Sequence, residues 1–390
     1  MEPVLVQKPL GDDRPQAHLY YGINVLEGLR LLPDESVSMV ATSPPYWGFR
    51  AYGGVHQVWG DAQDCLHDWG EEIPQEKRHL YTPQNSGKEK TVAEAGGYPT
   101  TRGAFCQKCR AWRGSLGLEP TPHLYVGHLV DVFREVHRVL HPSGTLWLNL
   151  GDSYMSHEAK DVSQMGGFTG NKIRASDGLR CAVKAGRPSP KGIPGLKDKD
   201  LVGVPWRAAL ALQEDGWWLR NSIIWQKPNA MPFSGQDRLS CKYEYVFLLT
   251  KRSRYFFDLN AIKTGSNPGD IWRIATQPYS GAHFAVWPEK LVRQMVLAGS
   301  PAKGVCPHCR SPWVEEPSCT CPEHEPVRAT VLDPFSGSAT TGMVSLKLDR
   351  DYIGLDLNAD YLDLAQARLL GEKPPSEDSG QDNLIADLFT

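Results

Sequence analysis

No stretch of this 390-residue sequence approaches the ~20 consecutive apolar residues that a membrane-spanning helix requires. The opening MEPVLVQKPLGDDRPQ lacks both the basic start and the apolar core of a secretory signal, so the chain is expected in the cytoplasm with no membrane partner. Neither sign of charge is in surplus: 42 Lys and Arg face 45 Asp and Glu, a net −3. That balance leaves a nucleic-acid partner open and makes the local distribution of charge decisive. Two phosphate-binding signatures are also missing. Without G-x-G-x-x-G a dinucleotide site is disfavoured, and without G-x-x-x-x-G-K-[ST] a P-loop is unsupported. No internal repeat points to a solenoid.

What is present is the composition of a globular protein, 41% hydrophobic and 22% charged, long enough for an α/β enzyme domain with an appended module. Residues 1–17 read as a flexible lead and 18–370 as one domain. A strand ends at Tyr21, a helix covers Val25–Leu32, and a strand runs from Val37 to Thr42. Apolar residues at Leu129, Val132, Phe133, Val136, Val139 and Leu140 have helical spacing over 124–140. His141-Pro142-Ser143-Gly144 is expected to stop that helix, and TLWLNL (145–150) to form a buried strand. Further on come a helix at 206–213, strands at 219–225 and 243–250, and a helix after Pro288. The last unit is strand 330–332, a turn at 336–342, helix 342–347, strand 352–355 and helix 359–369. Strands alternating with helices at both chain ends predict an α/β fold: a doubly wound, mostly parallel sheet assembled from the two ends. Three insertions interrupt it, at 60–120, 155–200 and 303–326, and an acidic flexible tail follows at 371–390. From Lys160 to Asp200 nine Lys or Arg stand against four Asp, a basic segment suited to a polyanion.

Two motifs carry chemistry. VLDPFSGSATTG followed by YIGLDLN is a βαβ half in which small residues let the backbone approach a ligand. There Asp356, ending the second strand, is placed to accept hydrogen bonds from ribose hydroxyls. The bland reading is a tight strand-to-helix turn. The second motif is TSPPYW at the end of strand 37–42. A Pro-Pro step holds the backbone extended and turns carbonyls outward. Ser43 and the Pro44 carbonyl can then accept both hydrogens of an –NH2 group, and Tyr46 can stack on an extruded base. Its bland reading is a Pro-rich exit from a strand.

Together these residues resemble the permuted β group of amino-methylating DNA methyltransferases, in which a Ser/Asp/Asn-Pro-Pro-Tyr/Phe motif precedes the cofactor motif. Ser43, Pro44, Pro45 and Tyr46 precede Asp333–Ala339 in that way. GTLWLNLGDSY and GAHFAVWPEKLV resemble two further motifs of the family. The resemblance implies S-adenosylmethionine as cofactor, with Asp333, Phe335, Gly337, Ser338 and Asp356 in contact with it. It implies His283, Phe284 and Pro288 on the methionine side, and double-stranded DNA as substrate. Two departures stand out: Ala339 replaces a second Gly, which a negative φ would accommodate, and Asn24 stands where the family often has an acid. Methylation at cytosine C5 would need a nucleophilic Cys, usually in a Pro-Cys step, and none occurs. In the family, Ser before Pro-Pro leans toward cytosine N4, and Asp or Asn toward adenine N6.

Seven of the nine cysteines fall in two clusters, which in a reducing compartment suggest metal rather than disulfides. Cys306, Cys309, Cys319 and Cys321 supply the four thiolates of a structural zinc site, with His308 or His324 as substitutes. Cys65, His67, Cys106 and Cys109 form a second candidate. Cys181 and Cys241 read as ordinary thiols. The chain ends in IADLFT, where Leu388-Phe389 resembles the peptide that docks on bacterial sliding clamps; covering an apolar patch of the enzyme's own core is the alternative. A different class, a non-catalytic DNA-binding zinc protein with a methyltransferase-like core, would not need both motifs intact. Methylation of RNA or of a protein glutamine, by enzymes that usually carry Asn before Pro-Pro, is the remaining alternative.

Overall fold

Val37–Thr42 (VSMVAT) is buried at all six positions, the pattern of a strand with parallel neighbours and covered faces. It is the centre of the fold. The computed structural model describes residues 2–6, 14–48, 56–60, 64–73, 103–155, 193–230, 236–277, 287–314, 319–322 and 325–372. In chain order the described elements are β1 (Val4–Val6), β2 (Ala17–Tyr21), α1 (Val25–Arg30), β3 (Val37–Thr42), β4 (Gln57–Trp59), β5 (Ala104–Phe105), β6 (Trp112–Gly114), α2 (Pro122–Val139) and β7 (Leu140–Leu150). They continue with α3 (Val204–Glu214), β8 (Trp218–Gln226), β9 (Tyr243–Thr250), β10 (Ile271–Arg273), α4 (Glu289–Gly299), β11 (Thr330–Asp333), α5 (Thr340–Lys347), β12 (Asp351–Asp356) and α6 (Leu362–Leu370).

Nine strands form one sheet in the order β1-β2-β12-β11-β3-β7-β9-β8-β10. The run from β2 through β12, β11 and β3 to β7 is parallel, and β8 and β9 add an antiparallel pair. The mostly parallel sheet is therefore as expected, and it joins the two chain ends: β12 pairs with β2 from Tyr352↔Ala17 to Asp356↔Tyr21. β11 lies beside β3 with Val331↔Met39 and Leu332↔Val40 in register, so the segments after Asp333 and after Thr42 leave the same edge. By contacts the chain divides into two compact units, 1–44 with 130–150 and 208–390, and 45–129 with 151–207.

In the first unit, Met39, Ala41, Trp147 and Val331 of the sheet pack against Leu291, Val292, Met295 and Val296 of α4. Next to them Leu19, Tyr21 and Tyr352 meet Ala365 and Leu369 of α6. Leu355, whose side chain alternates to the other face from Tyr352, meets α1: a Cβ on Gly28 would lie 3.2 Å from it. α1 is capped by Asn24, whose Oδ1 accepts the Leu26 N–H at 2.9 Å. α6 ends at Gly371 with φ +77°, a left-handed terminus that glycine takes without penalty. The second unit holds the small antiparallel sheet β4-β6-β5.

Two expectations are corrected. Val4–Val6, inside the stretch read as a lead, pairs antiparallel with β2. And although α2 ends at Val139, ahead of 141–144 as expected, the strand starts earlier than 145: β7 runs from Leu140 to Leu150. Between the pairs Val37↔Leu140 and Met39↔Thr145, β3 advances by two residues and β7 by five. The surplus bulges out, held by the Ser143 hydroxyl and N–H on His141 Nδ1 at 2.7 and 3.1 Å. Gly144 is required there, since a Cβ would come within 2.5 Å of Leu140 Cδ1 and 2.9 Å of the Ser38 carbonyl. Among the described residues no helix is long and apolar enough to cross a membrane.

Candidate active site

Asp333, the last residue of β11, is buried and fully engaged. Its Oδ1 accepts from the Thr42 hydroxyl at 2.7 Å and from the Phe335 N–H at 3.1 Å, and its Oδ2 from the Thr341 hydroxyl at 2.7 Å. Burial pushes the carboxyl up to about 6 against the pull of those three bonds. One side chain thus ties the end of β3 to the start of α5 and shapes the turn between them. Gly337 tops that turn at φ +50°, with no atom within 4 Å of where a Cβ would stand. Its N–H donates to Asp356 Oδ2 at 2.7 Å, while Asn358 N–H donates to Oδ1 at 2.9 Å. Burial, aided by the nearby Asp333 charge, raises Asp356 to about 6.

A one-way chain of hydroxyls supports the turn from below. Tyr21 O–H donates to the Gly337 carbonyl at 2.7 Å, so towards Ser336 Oγ, 2.8 Å away, it can only accept. The Ser336 proton is then used, and Tyr352 must donate to Ser336 at 2.8 Å. Ser338 is held by Arg368, which also donates to Thr340 Oγ1 at 3.0 Å. Ala339 adopts φ +55° at the N-terminus of α5, so the negative φ that would make its methyl harmless is not what the turn uses. Asn24 caps α1 rather than supplying a charge. Pro288 is buried at the start of α4; His283 and Phe284 lie outside the described residues.

Ser43 follows β3. Its hydroxyl donates to Asn149 Oδ1 on β7 at 3.3 Å. Asn149 is oriented by its own amide, which donates to the Tyr245 carbonyl at 3.0 Å and Glu244 Oε2 at 3.3 Å. Glu244 is ion-paired with Lys227, whose ammonium lies 4.3 Å from the Trp225 ring centroid. The bond to Asn149 fixes the orientation of the Ser43 hydroxyl. The sequence reading missed Asn149, Glu244, Thr42, Thr341 and Arg368. The one available signal was a polar Asn in the otherwise apolar strand TLWLNL.

Pro45 and Tyr46 begin the second unit. The Pro45 carbonyl accepts from Tyr125 O–H at 2.8 Å. The Tyr46 ring lies against the backbone of Gly151, where a Cβ would come within 2.5 Å of ring carbon Cε2. Asp152, in the GDSY stretch, accepts the Ser153, Gly203 and Val204 N–H groups at 2.8, 3.0 and 3.1 Å and so anchors the start of α3.

Both cysteine clusters come together. The ligand atoms of Cys65, His67, Cys106 and Cys109 all lie within 4.8 Å of one another, and so do those of Cys306, Cys309, Cys319 and Cys321. Cys65 Sγ is 3.9 Å from Cys106 Sγ, and Cys109 Sγ is 3.4 Å from His67 Nδ1. Burial would raise the Cys106 thiol, but N–H groups of Cys109, Lys108 and Asp68 and the His67 ring bring it down to about 5. Cys309 is likewise lowered to about 6, by Ser311 and its neighbouring thiols against burial. His324 lies outside the described residues, as does Cys181. So do residues 156–192 of the basic segment and 373–390 of the tail, with its Leu388-Phe389 end.

The family described as DNA methylase (N6/N4 type) matches this chain across residues 37–367. The Type II methyltransferase M.Cfr9I of Citrobacter freundii is 33% identical over 362 residues, spanning 91% of this chain and 88% of that protein. M.SmaI of Serratia marcescens is 36% identical over 353 residues, spanning 88% of each. Among solved structures, the PvuII DNA methyltransferase (cytosine-N4-specific) superposes with a TM-score of 0.52 at 17% identity, over 94% of this chain and 92% of that one, a likeness of fold.

Proposed function

The chain belongs to the N6/N4 DNA methylase family, and from that premise we propose that it transfers a methyl group from S-adenosylmethionine to the N4 amino group of cytosine in double-stranded DNA. The observation that carries the reading is Ser43: it stands at the sheet edge beside the Asp333 turn, and its proton is committed to Asn149. An acceptor so arranged, with the Pro44 carbonyl, takes both hydrogens of an exocyclic amine and leaves the nitrogen lone pair free. Cytosine N4 is favoured because the first motif residue is Ser. The PvuII DNA methyltransferase, which is cytosine-N4-specific, shares the fold. Adenine N6 is the second reading, since the family spans both bases.

The turn suits the cofactor. Gly337 leaves open space above its backbone, and Asp356 beside it offers carboxylate lone pairs that ribose hydroxyls can use. Phe335, Ser338 and Pro288 are assigned to cofactor contact as well, and His283 and Phe284 join them on the family resemblance alone. When bound, the cofactor supplies an electrophilic methyl on a sulfonium. Ser43 and the Pro44 carbonyl hold the amine and stabilise the positive charge growing on nitrogen, Tyr46 stacks on the extruded base, and no protein base is required before transfer. The enzyme is assigned to the cytoplasm.

Each four-residue cluster is assigned one structural zinc. Tetrahedral thiolate ligands about 2.3 Å from zinc stand roughly 3.8 Å from each other, which the 3.9 Å separation of Cys65 and Cys106 matches. The deciding experiment on the reaction is to methylate plasmid DNA, digest it to nucleosides and weigh the product. N4-methyl-2′-deoxycytidine is expected; N6-methyl-2′-deoxyadenosine would establish the second reading, and unmodified DNA would overturn both.

A further inference from the structure

Glu119 is a carboxylate with no exposed side-chain surface, and a buried charge is tolerated only where its partners are in place. Gly117 N–H donates to its Oε2 at 2.8 Å, and His128 Nδ1 faces its Oε1 at 3.0 Å. An ionised carboxyl only accepts, so His128 carries its proton on Nδ1. The imidazole is itself fixed between two parallel rings, Trp59 at 4.6 Å and Trp112 at 5.3 Å, each inclined by 18°. Those tryptophans belong to β4 and β6, whose sheet includes β5, the strand that ends just before Cys106.

The other ends of this network fall on the segment that bears Tyr46. The Gly117 carbonyl accepts Gly48 N–H at 2.8 Å, and the Glu119 carbonyl accepts the Trp47 indole N–H at 2.9 Å. Gly117, at φ +91°, passes so near that a Cβ would lie 3.0 Å from the Tyr46 carbonyl. Trp47 and Gly48, the two residues that follow Tyr46, are thereby held by a turn whose shape depends on Glu119.

We propose that Glu119 and His128 are positioning residues for methyl transfer: through the 117–119 turn they fix Tyr46 where the extruded base must stack. The inference rests on the reading that Tyr46 faces that base. Displacing a stacking wall by about an ångström is enough to slow a reaction ~10²-fold without touching the reacting atoms.

The test compares Glu119→Ala, Glu119→Gln, Trp47→Phe and Tyr46→Ala in full-length protein, by single-turnover methylation of plasmid DNA and by calorimetric binding of S-adenosylmethionine. Glu119→Ala is expected to slow transfer about 10- to 100-fold with cofactor affinity within about two-fold of wild type. Glu119→Gln, whose amide can accept from Gly117 and donate to the other His128 tautomer, should recover to within about three-fold. Should Glu119→Ala fail to fold, Trp47→Phe decides: it removes one indole donor and should slow transfer about 3- to 10-fold. Wild-type transfer by the folded Glu119→Ala or by Trp47→Phe, or equal losses in Glu119→Ala and Glu119→Gln, would overturn the proposal. Wild-type transfer by Tyr46→Ala would overturn the reading beneath it instead.

Discussion

Ser43 and Asp356 separate two tasks that single substitutions can tell apart. Ser43→Ala removes an acceptor used as charge develops, so transfer should fall by roughly 2–4 kcal/mol in the barrier while cofactor binding persists. Asp356→Ala should weaken cofactor binding first; single-turnover rates beside equilibrium binding check both, and unchanged transfer in Ser43→Ala would remove its role. Asp356 also predicts a pH dependence. Its carboxyl is raised to about 6, so as pH falls through 6 it gains a proton and loses acceptor capacity, and cofactor affinity should drop. Asp356→Asn should flatten that profile. The same shift acts oppositely on folding: an acid whose folded pKa is raised favours the folded state at low pH, and that contribution is lost as pH rises through about 6. Ala339 sets two small effects against each other. Its left-handed backbone costs about 1–2 kcal/mol, while its buried methyl contributes about 0.8 kcal/mol. Ala339→Gly should therefore shift stability by no more than about 1 kcal/mol, as urea unfolding would show.

At the level of elements, periodicity carried most of the information. The spacing of Leu129, Val132, Phe133, Val136 and Val139 gives a helix because all five are buried along α2. Tyr243–Thr250 matches its strand end for end. His141-Pro142-Ser143-Gly144 does mark the end of α2 at Val139; what the sequence hid is that the His141–Ser143 contacts fold this segment into a bulge of β7, so the strand starts at Leu140 rather than Thr145. The cysteine clusters were legible because short spacings constrain ligand atoms; the joining of Cys65 and His67 to Cys106 and Cys109 depends on the bridge Trp69↔Cys106. The assignment of zinc predicts two ions per chain by metal analysis of protein purified without chelator. The 306–321 cluster lies just ahead of β11, at the strand end opposite Asp333, where Val305 pairs with Val327. Stripping its metal should lower the melting temperature and leave the transfer rate of the surviving folded protein unchanged. Metal-free protein with native stability would refute the assignment.

At the scale of the whole molecule, the pairing of β3 with β11 was foreseeable because the resemblance assigns the motifs that follow them to one cleft, whereas the pairing of β2 with β12 carried no such signal. The side-chain networks behind them were not foreseeable, since Asn149 with Glu244 and Glu119 with His128 are pairs that only the folded chain brings within reach. DNA affinity belongs to this scale too, because the net charge of −3 gives no general attraction to phosphate. Binding must then come from a local concentration of cations, and the segment from Lys160 to Asp200, with nine Lys or Arg against four Asp, is the densest candidate. Of these, Lys197 lies among the described residues and is partly spent on Asp200 at 3.3 Å. Lys172, Lys184 and Arg187 have no acidic residue within four sequence positions, and the nearest to Arg174 is Asp177, three positions on. If each reaches one phosphate, binding releases counterions and the logarithm of affinity falls with the logarithm of salt by about 0.9 per contact. Replacing all four by Gln should therefore reduce the magnitude of that slope by up to about 3.6, while cofactor affinity stays at the wild-type value. Gel-shift titrations of the two proteins on the same duplex between low and moderate salt measure the difference, and parallel slopes would place the DNA on another face.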